Sequence, residues 1–148
     1  MITESAQSSA LLSETIKVAL HYVDGQVLKG SAYDFHPNQP HFHLFPAAVG
    51  PSGKPIQVQV KDLKAVVFMR DLAGDDPLHE PQKGVEGEGK HPPGRMVEVM
   101  FADGAVLAGV TMAYDSRRPG FFVIPLDPHS NTLRVFVLSH AVREVHQL

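Results

Sequence analysis

Residues 18–46 read VALHYVDGQVLKGSAYDFHPNQPHFHLFP, and residues 97–125 read VEVMFADGAVLAGVTMAYDSRRPGFFVIP. The two stretches align without a gap at an offset of 79 residues, and nine of their 29 positions are identical. Unrelated stretches of average composition would share roughly two identical positions. Matching apolar positions continue in the same register beyond both stretches. Residues 16–69 and 95–148 are therefore predicted to be two copies of one unit.

Each copy has the pattern of five short β-strands. In the first strand of each copy, apolar residues alternate with polar or small ones, which is the period of a strand. The Asp-Gly pairs at 24–25 and 103–104 lie between apolar alternations and predict hairpin turns. A glycine interrupts the second strand of each copy, at Gly30 and Gly109, and predicts a bulge or a sharp bend. The sequence therefore predicts an all-β fold of two tandem five-stranded small barrels.

Two segments complete the predicted domain organisation. Residues 1–15 have the composition of a short N-terminal helix or tail, with Leu11 and Leu12 on its packing side. Residues 70–94 are rich in glycine and proline and contain three basic and six acidic residues. This composition predicts a flexible acidic linker between the first barrel and the second, and a binding loop or lid is the alternative.

The repeated unit resembles the Sm-like version of the SH3-type small barrel. The resemblance rests on the first strand, the DG-x-x-L-x-G segment and the aromatic residue that ends the second strand, Phe35 or Tyr114. The tandem pattern is also similar to that of uncharacterised bacterial proteins. In the second copy, residues 139–142, SHAV, resemble the Lys-His-Ala-hydrophobic segment of the Hfq family of bacterial Sm-like RNA chaperones. That likeness implies a uridine-binding role for His140, although this chain has a serine in place of the lysine.

The composition is that of an ordinary globular chain, with 43% hydrophobic and 20% charged residues. Thirteen basic and 16 acidic side chains give a formal net charge of -3, which argues against a dedicated nucleic-acid binder. The absence of cysteine excludes disulfides, thiolate zinc sites and cysteine nucleophiles. No apolar run approaches the ~18 residues of a membrane span, and the N-terminus has no signal-peptide pattern. We therefore expect a cytoplasmic bacterial protein that does not bind membranes.

The outer faces of the two predicted barrels differ in polarity. Strand alternation places polar side chains, including His21, His41 and His43, on the outer face of the first barrel. The outer face of the second barrel is apolar, and an exposed apolar cluster usually marks an interaction site. We expect this face to pack between the repeats and to form a homodimer, with a different protein partner as the alternative. The predicted interface residues are Met100, Phe122, Ile124, Phe136 and Leu138.

His41 and His43 are the weak candidates for a metal site. They point to one side of a strand, because side chains repeat every two residues. Imidazole is a ligand for zinc, nickel and copper. The spacing specifies no third ligand, and an exposed polar strand face explains the pair equally well.

The sequence contains none of the catalytic motifs GxSxG, HExxH or GxxxxGK[ST]. Asp24 and Asp103 are explained by the chemistry of their turns. We therefore expect a chain that is not an enzyme and that has no cofactor.

Four residues form the candidate site for RNA or another nucleotide ligand. Arg117 and Arg118 lie at the tip before the third strand of the second copy, and a guanidinium binds phosphate or carboxylate with two hydrogen bonds. Tyr114 offers a ring for base stacking, and His140 is the residue that the Hfq likeness indicates. A solvated tip is the alternative for the two arginines.

The sequence as a whole favours a non-catalytic interaction or regulatory module that self-associates through the apolar outer face of the second barrel. RNA or nucleotide binding by an Sm-like surface is one alternative. Metal binding by the surface histidines is another.

Overall fold

The computed structural model describes residues 16–48, 53–78, 93–127 and 129–148. Within these ranges the chain is all-β, with ten strands in two antiparallel sheets. No helix in the described ranges is long and apolar enough to cross a membrane. The helix predicted for residues 1–15 lies outside the described residues, as does most of the predicted linker.

Each repeat contributes five strands and one short 3-10 turn. The turns are Val60–Asp62 and Ser139–Ala141, and each lies between the fourth and fifth strands of its repeat. The strands of the first repeat are β1 Ile16–Tyr22, β2 Val27–Ala32, β3 His41–Pro46, β4 Ile56–Gln59 and β5 Leu63–Met69. Those of the second repeat are β6 Arg95–Phe101, β7 Val106–Thr111, β8 Gly120–Val123, β9 Thr132–Leu138 and β10 Val142–Gln147.

The two repeats have matching strand neighbours. In the first, β2 and β5 flank β1, β3 pairs with β2, and β4 pairs with β3. In the second, β7 and β10 flank β6, and β8 pairs with β9. The contact between β7 and β8 is reduced to a bridge between Val110 and Ile124. Residues that lie 79 positions apart in the sequence therefore occupy equivalent places in the two repeats.

The Asp-Gly turns predicted from the sequence are confirmed. Gly25 and Gly104 have φ angles of 94° and 93°, a conformation that glycine adopts without a steric penalty. The Asp24 carboxylate accepts a hydrogen bond from the backbone N–H of Gln26 at 3.0 Å. Asp103 accepts the equivalent bond from Ala105, also at 3.0 Å. These contacts close the β1–β2 and β6–β7 hairpins.

The glycines inside β2 and β7 are required by close approach of the neighbouring strand. A Cβ atom on Gly30 would collide with the carbonyl oxygen of Phe45, and one on Gly109 would lie 2.5 Å from that of Ile124. The β1–β2 register passes Gly30 without a shift. The predicted bulge is therefore absent from that pairing, and the glycine instead allows β3 to lie close against β2.

The two repeats are joined by antiparallel pairing of β5 with β9, which we call the inter-repeat seam. The register pairs Ala65 with Val137, Val66 with Phe136 and Val67 with Val135. This pairing makes one sheet of seven strands, in the order β4-β3-β2-β1-β5-β9-β8. The remaining strands form a sheet of order β10-β6-β7. All seven residues of β5 are buried, so β5 is covered on both faces.

Two hydrophobic cores lie on opposite faces of the seam. Alternate residues of β5 enter different cores, because successive side chains point to opposite faces of a strand. Val66 and Phe68 pack in the core of the first repeat together with Phe136 and Leu138 of the second. Ala65 and Val67 pack in the core of the second repeat. Each repeat therefore completes the core of the other.

This arrangement corrects the predicted interface. Phe136 and Leu138 are each 1% exposed and pack against the first repeat within the same chain. Met100, Phe122 and Ile124 are half-buried. Phe122, Phe136 and Leu138 of the apolar outer face thus pack in the core of the first repeat, and Phe136 and Leu138 are not on a free surface.

A buried lysine adds a polar link between the repeats. Lys64 of β5 donates a hydrogen bond to the Asp103 carboxylate at 2.6 Å and lies 5.0 Å from the centre of the Phe101 ring. Its side chain is 10% exposed. The hydrogen bond from Lys64 holds the pKa of Asp103 below its usual value. The Asp103 side chain therefore closes a turn in one repeat and pairs with a cation from the other.

Residues 70–78, the start of the predicted flexible linker, pack against the seven-stranded sheet. Asn131 donates its side-chain amide to the backbone oxygens of Asp71 and Asp75, at 2.9 and 3.0 Å. Lys29 donates to the backbone oxygen of Leu72 at 2.7 Å. These side-chain bonds connect the backbone of this part to both repeats.

His21, predicted to lie on a polar outer face, is buried. Its Nε2 donates to the Asp76 carboxylate at 2.7 Å, and both side chains are 7% exposed. Burial is the largest single effect and would raise the pKa of Asp76. The hydrogen bond and charge of His21, with the backbone bond from Leu78 and the charge of Lys29, together outweigh it, and the pKa lies below its usual value. The pair anchors the 70–78 segment on β1.

Phe136→Glu is expected to unfold the chain rather than to dissociate an oligomer. The carboxylate would enter the core of the first repeat, at a cost of about 4 kcal/mol or more in the free energy of unfolding. Leu133→Glu is the control on the same strand, where the side chain is 41% exposed. It should change stability by no more than about 0.5 kcal/mol. Urea denaturation measures both variants, and a Phe136→Glu protein of unchanged stability would contradict the buried seam.

Asp76→Asn is expected to lower the free energy of unfolding at pH 7 by about 1–3 kcal/mol, because the charge-assisted bond to His21 is lost. Since the folded-state pKa of Asp76 is lowered, its contribution is present above the unfolded pKa and disappears as pH falls through the folded value. The variant should therefore lose less stability between neutral pH and acid than the parent. Asp75→Asn, at an exposed neighbouring position, is the control. If the free energy of unfolding falls by the same amount from neutral to acid pH in the parent and in Asp76→Asn, the pair of Asp76 with His21 does not stabilise the fold.

Candidate functional site

The polar tips and the 3-10 turns of both repeats meet at a cleft of about 600 Å³, which we call the inter-repeat cleft. One wall comes from the first repeat, residues 37–40 and 59–61. The other wall comes from the second repeat, residues 117–119 and 138–140. The cleft therefore exists only because the seam places the two repeats side by side.

Equivalent hydrogen bonds hold each tip against its own 3-10 turn. The backbone N–H of Val60 donates to the carbonyl of Pro40 at 3.0 Å, and that of Ser139 donates to Pro119 at 2.8 Å. The Ser139 hydroxyl also donates to the backbone oxygen of Arg118 at 2.8 Å. These bonds fix the backbone on both sides of the cleft, so the walls are positioned before any ligand binds.

Three cationic side chains line the inter-repeat cleft: Lys61, Arg117 and Arg118. Arg117 is already paired, since its Nε and Nη2 donate to the two oxygens of Asp115, each at 3.1 Å. The hydrogen bonds from Arg117 lower the pKa of Asp115. Lys61 and Arg118 form no ion pair with a carboxylate of the described residues. The cleft therefore presents two positive charges outside ion pairs, one from each repeat, and Asp115 lies near enough to interact with the charge of Arg118.

His140 connects the two repeats at the base of the cleft. Its Nε2 donates to the backbone oxygen of Leu63 at 2.6 Å. A carbonyl oxygen only accepts hydrogen bonds, so the proton is on Nε2 and the Nδ1 atom remains for other contacts. The backbone oxygen of Leu63 is thereby satisfied by the other repeat. His140 thus has a structural role that the sequence did not indicate.

A smaller pocket of about 370 Å³ adjoins the inter-repeat cleft. The two share Pro37, Asn38, Arg118 and Pro119 as walls. The floor of the smaller pocket is apolar and contains Phe122, Ile124 and Phe136. The arrangement offers an apolar surface beside the Arg118 guanidinium and therefore suits a ligand with both apolar and anionic parts.

The structure brings together three of the four residues predicted for RNA binding. Arg117, Arg118 and His140 line the inter-repeat cleft. Tyr114 does not, because its ring packs edge-on against Phe121 at 4.8 Å, away from that cleft. Lys61 was not a sequence candidate. Its position is equivalent to that of His140 at the offset of 79 residues, which is the signal that could have identified it.

His41 and His43 lie on one side of β3, with ring centres 6.3 Å apart. The Nδ1 of His43 is hydrogen-bonded to the Asp34 carboxylate at 2.7 Å. Burial opposes ionisation of Asp34, but its bonds with His43 prevail and lower its pKa. The described residues contain no group of three histidine, cysteine, aspartate or glutamate side chains arranged to hold a metal ion. The geometry therefore adds no third ligand to the two histidines.

Comparison with known proteins identifies a family and no relative of established function. The sequence profile of DUF6982, a family of unknown function, matches residues 14–148. No curated protein and no solved structure gives a significant match to the chain.

Proposed function

The chain belongs to the DUF6982 family of unknown function, and we propose that it is a non-catalytic interaction module that binds an acidic protein segment in the inter-repeat cleft. One observation carries this proposal. Lys61 from the first repeat and Arg118 from the second line the same cleft, and neither pairs with a carboxylate of the described residues.

The shape of the site supports a protein segment as the occupant. Pro37, Pro40 and Pro119 stiffen the walls, so little backbone entropy is lost when a partner binds. The adjoining pocket supplies the apolar floor of Phe122 and Ile124. An extended acidic segment with one apolar side chain fits this combination, because the side chain can be buried while its carboxylates face Lys61 and Arg118.

We propose further that each repeat is a small barrel of the Sm-like type. The support is the strand order, in which the fifth strand returns to the first, and the 3-10 turn between the fourth and fifth strands. In this interpretation, the two barrels are fused through the seam, and their tips form the binding walls.

Self-association stays part of the proposal, but at another surface than the sequence indicated. Within the described chain, β4 pairs only with β3, and β10 pairs only with β6. Their outer edges carry unpaired backbone groups, through which a second copy can add a strand. A homodimer would use these edges, since Phe136 and Leu138 are buried within the chain.

RNA binding at the inter-repeat cleft is the second candidate function. The observation in its favour is that Arg117, Arg118 and His140 lie together with Lys61. Single-stranded RNA is usually held by aromatic stacking as well as by cations. The described residues lining the cleft include no phenylalanine, tyrosine or tryptophan, and the Phe122 ring of the adjoining pocket already packs against Arg134 and Phe136, at 4.4 and 5.0 Å. An acidic protein segment is therefore the preferred ligand.

The test compares a labelled acidic peptide, of glutamates around one leucine, with a labelled oligouridine of similar length. Fluorescence anisotropy at low salt measures both affinities. Lys61→Ala combined with Arg118→Ala should weaken peptide binding about tenfold or more, because two charge-assisted contacts are lost. The control removes two exposed cations outside the cleft, by Lys54→Ala combined with Arg143→Ala. It should change the affinity less than about twofold.

Equal losses in the two double variants would show attraction by general charge and would contradict a cleft site. Absence of peptide binding at low salt would also contradict the proposal. Oligouridine binding that exceeds peptide binding, and that the cleft variant abolishes, would instead establish the second candidate function.

A further inference from the structure

The open end of the second repeat contains a cavity. It has a volume of about 420 Å³ and lies between the start of β6, the end of β7 and the end of β10. Val97 and Val145 form its apolar base. Arg95, Thr111, Tyr114 and Gln147 supply the polar part of its lining. This cavity is separate from the inter-repeat cleft, with which it shares no lining residue.

The first repeat provides an internal comparison for this cavity. The equivalents of Val97 and Val145, at the offset of 79, are Val18 and Val66, which are both fully buried. The apolar base is therefore common to both repeats. The four polar positions differ, since Arg95, Thr111, Tyr114 and Gln147 correspond to Ile16, Ala32, Phe35 and Phe68.

At the equivalent positions the first repeat has apolar side chains, which pack together with Phe136 of the second repeat. Phe35 packs against Phe68 with ring centres 5.5 Å apart, and both contact the core of that repeat. Ala32 and Phe68 are each 1% exposed. The second repeat has exchanged this packing for polar groups around an open volume. Such an exchange gives up packing energy, which is common at sites that bind ligands.

Thr111 supplies an independent indication of a ligand. The residue is 3% exposed, and its Oγ1 atom is buried without a hydrogen-bond partner among the described residues. A buried hydroxyl without a partner is costly, and such groups in native structures call for an explanation. Thr111 lines the cavity. A ligand oxygen would satisfy the hydroxyl once the side chain turns its Oγ1 atom, which has almost no accessible surface, toward the cavity.

The charge of the cavity indicates which ligand it takes. None of its lining residues is acidic, and Arg95 forms no ion pair with a carboxylate of the described chain. A guanidinium binds a carboxylate with two parallel hydrogen bonds. Tyr114 is held against Phe121 and adds a hydroxyl to the lining. The volume lies within the range of about 300–1,000 Å³ that is typical of small-molecule sites.

We propose that the open end of the second repeat is a binding site for a small organic carboxylate with an apolar body. Arg95 binds the carboxylate, while Thr111 hydrogen-bonds to it. The apolar body lies on Val97 and Val145. The cavity shares no lining residue with the inter-repeat cleft itself, but Thr111, Met112 and Ala113 also line the apolar pocket beside that cleft, so the two sites have one wall in common.

The experiment titrates the full chain with benzoate, phenylacetate and isovalerate, each matched by its neutral amide. Backbone amide chemical shifts, measured by NMR, report the location and strength of binding. We expect saturable shifts confined to residues 95–97, 111–114 and 145–147 with at least one carboxylate. Its amide should bind about tenfold more weakly or worse, because the contact with the Arg95 charge is lost.

Arg95→Ile and Gln147→Phe place the residues of the first repeat in the second and should abolish these shifts. Arg118→Ala is the matched control, since it removes a guanidinium from the inter-repeat cleft and should leave the affinity within about twofold. Thr111→Val keeps the shape of the side chain and should weaken binding about threefold or more. This variant tests the site even if the larger substitutions disturb folding.

The proposal is overturned if no carboxylate of the panel gives saturable shifts, or if amides and carboxylates bind equally well. Shifts that persist in Arg95→Ile would also overturn it. Concentration-dependent shifts at residues 95–97 and 111–114 that appear without ligand, and that the carboxylates do not reverse, would show a second copy inside the cavity and would overturn the proposal as well.

Discussion

The antiparallel pairing of β5 with β9 is the interaction on which the rest of the structure depends. It turns two five-stranded repeats into a body with a sheet of seven strands. Because β5 is buried on both faces, its alternate residues contribute to two cores. The same pairing places the tips of the repeats on either side of one cleft. Without the seam, each repeat would lose part of its core, and the candidate binding site would not exist.

The duplicated unit has diverged most clearly where its two copies have different neighbours. The centre of the seam, residues 65–67 and 135–137, is apolar on both strands, while several equivalent positions on the outer edges of β10 and β4 carry polar side chains. On β10, His146 and Glu144 also pair with each other at 3.0 Å. Polar and charged residues on an exposed strand edge discourage unlimited addition of further strands. The apolar seam residues Ala65, Val67, Phe136 and Leu138 correspond to Glu144, His146, Gln57 and Gln59.

The sequence was sufficient to predict what depends on local pattern. The repeat, the Asp-Gly hairpins and most inward-facing residues follow from alternation and turn chemistry, which act between neighbours in the chain. The seam was not predictable in detail, because alternation does not specify which strand edge of one repeat meets the other. Phe136 was correctly identified as apolar and outward-facing in its own repeat. Its burial in the other repeat required the three-dimensional structure.

The candidate site was less predictable than the fold for the same reason. Arg117, Arg118 and His140 could be chosen by residue type, but the position of Lys61 beside them depends on the seam. His21 was placed outside by alternation, yet Asp76 from the following segment covers it. Tyr114 was assigned to the same site as Arg118 and instead lines the open end of the second repeat. In each case the missing information was a contact between residues far apart in sequence.

Native-state hydrogen exchange of the backbone amides in β5 and β9 tests the central claim most directly. If the seam joins the repeats into one cooperative body, amides in residues 65–68 and 135–137 exchange only through global unfolding. The free energy of exchange of these amides should equal that of the β1 amides. It should decrease with urea concentration as steeply as the free energy of global unfolding does. Exchange of the β9 amides orders of magnitude faster than that of β1, and insensitive to urea, would contradict the account.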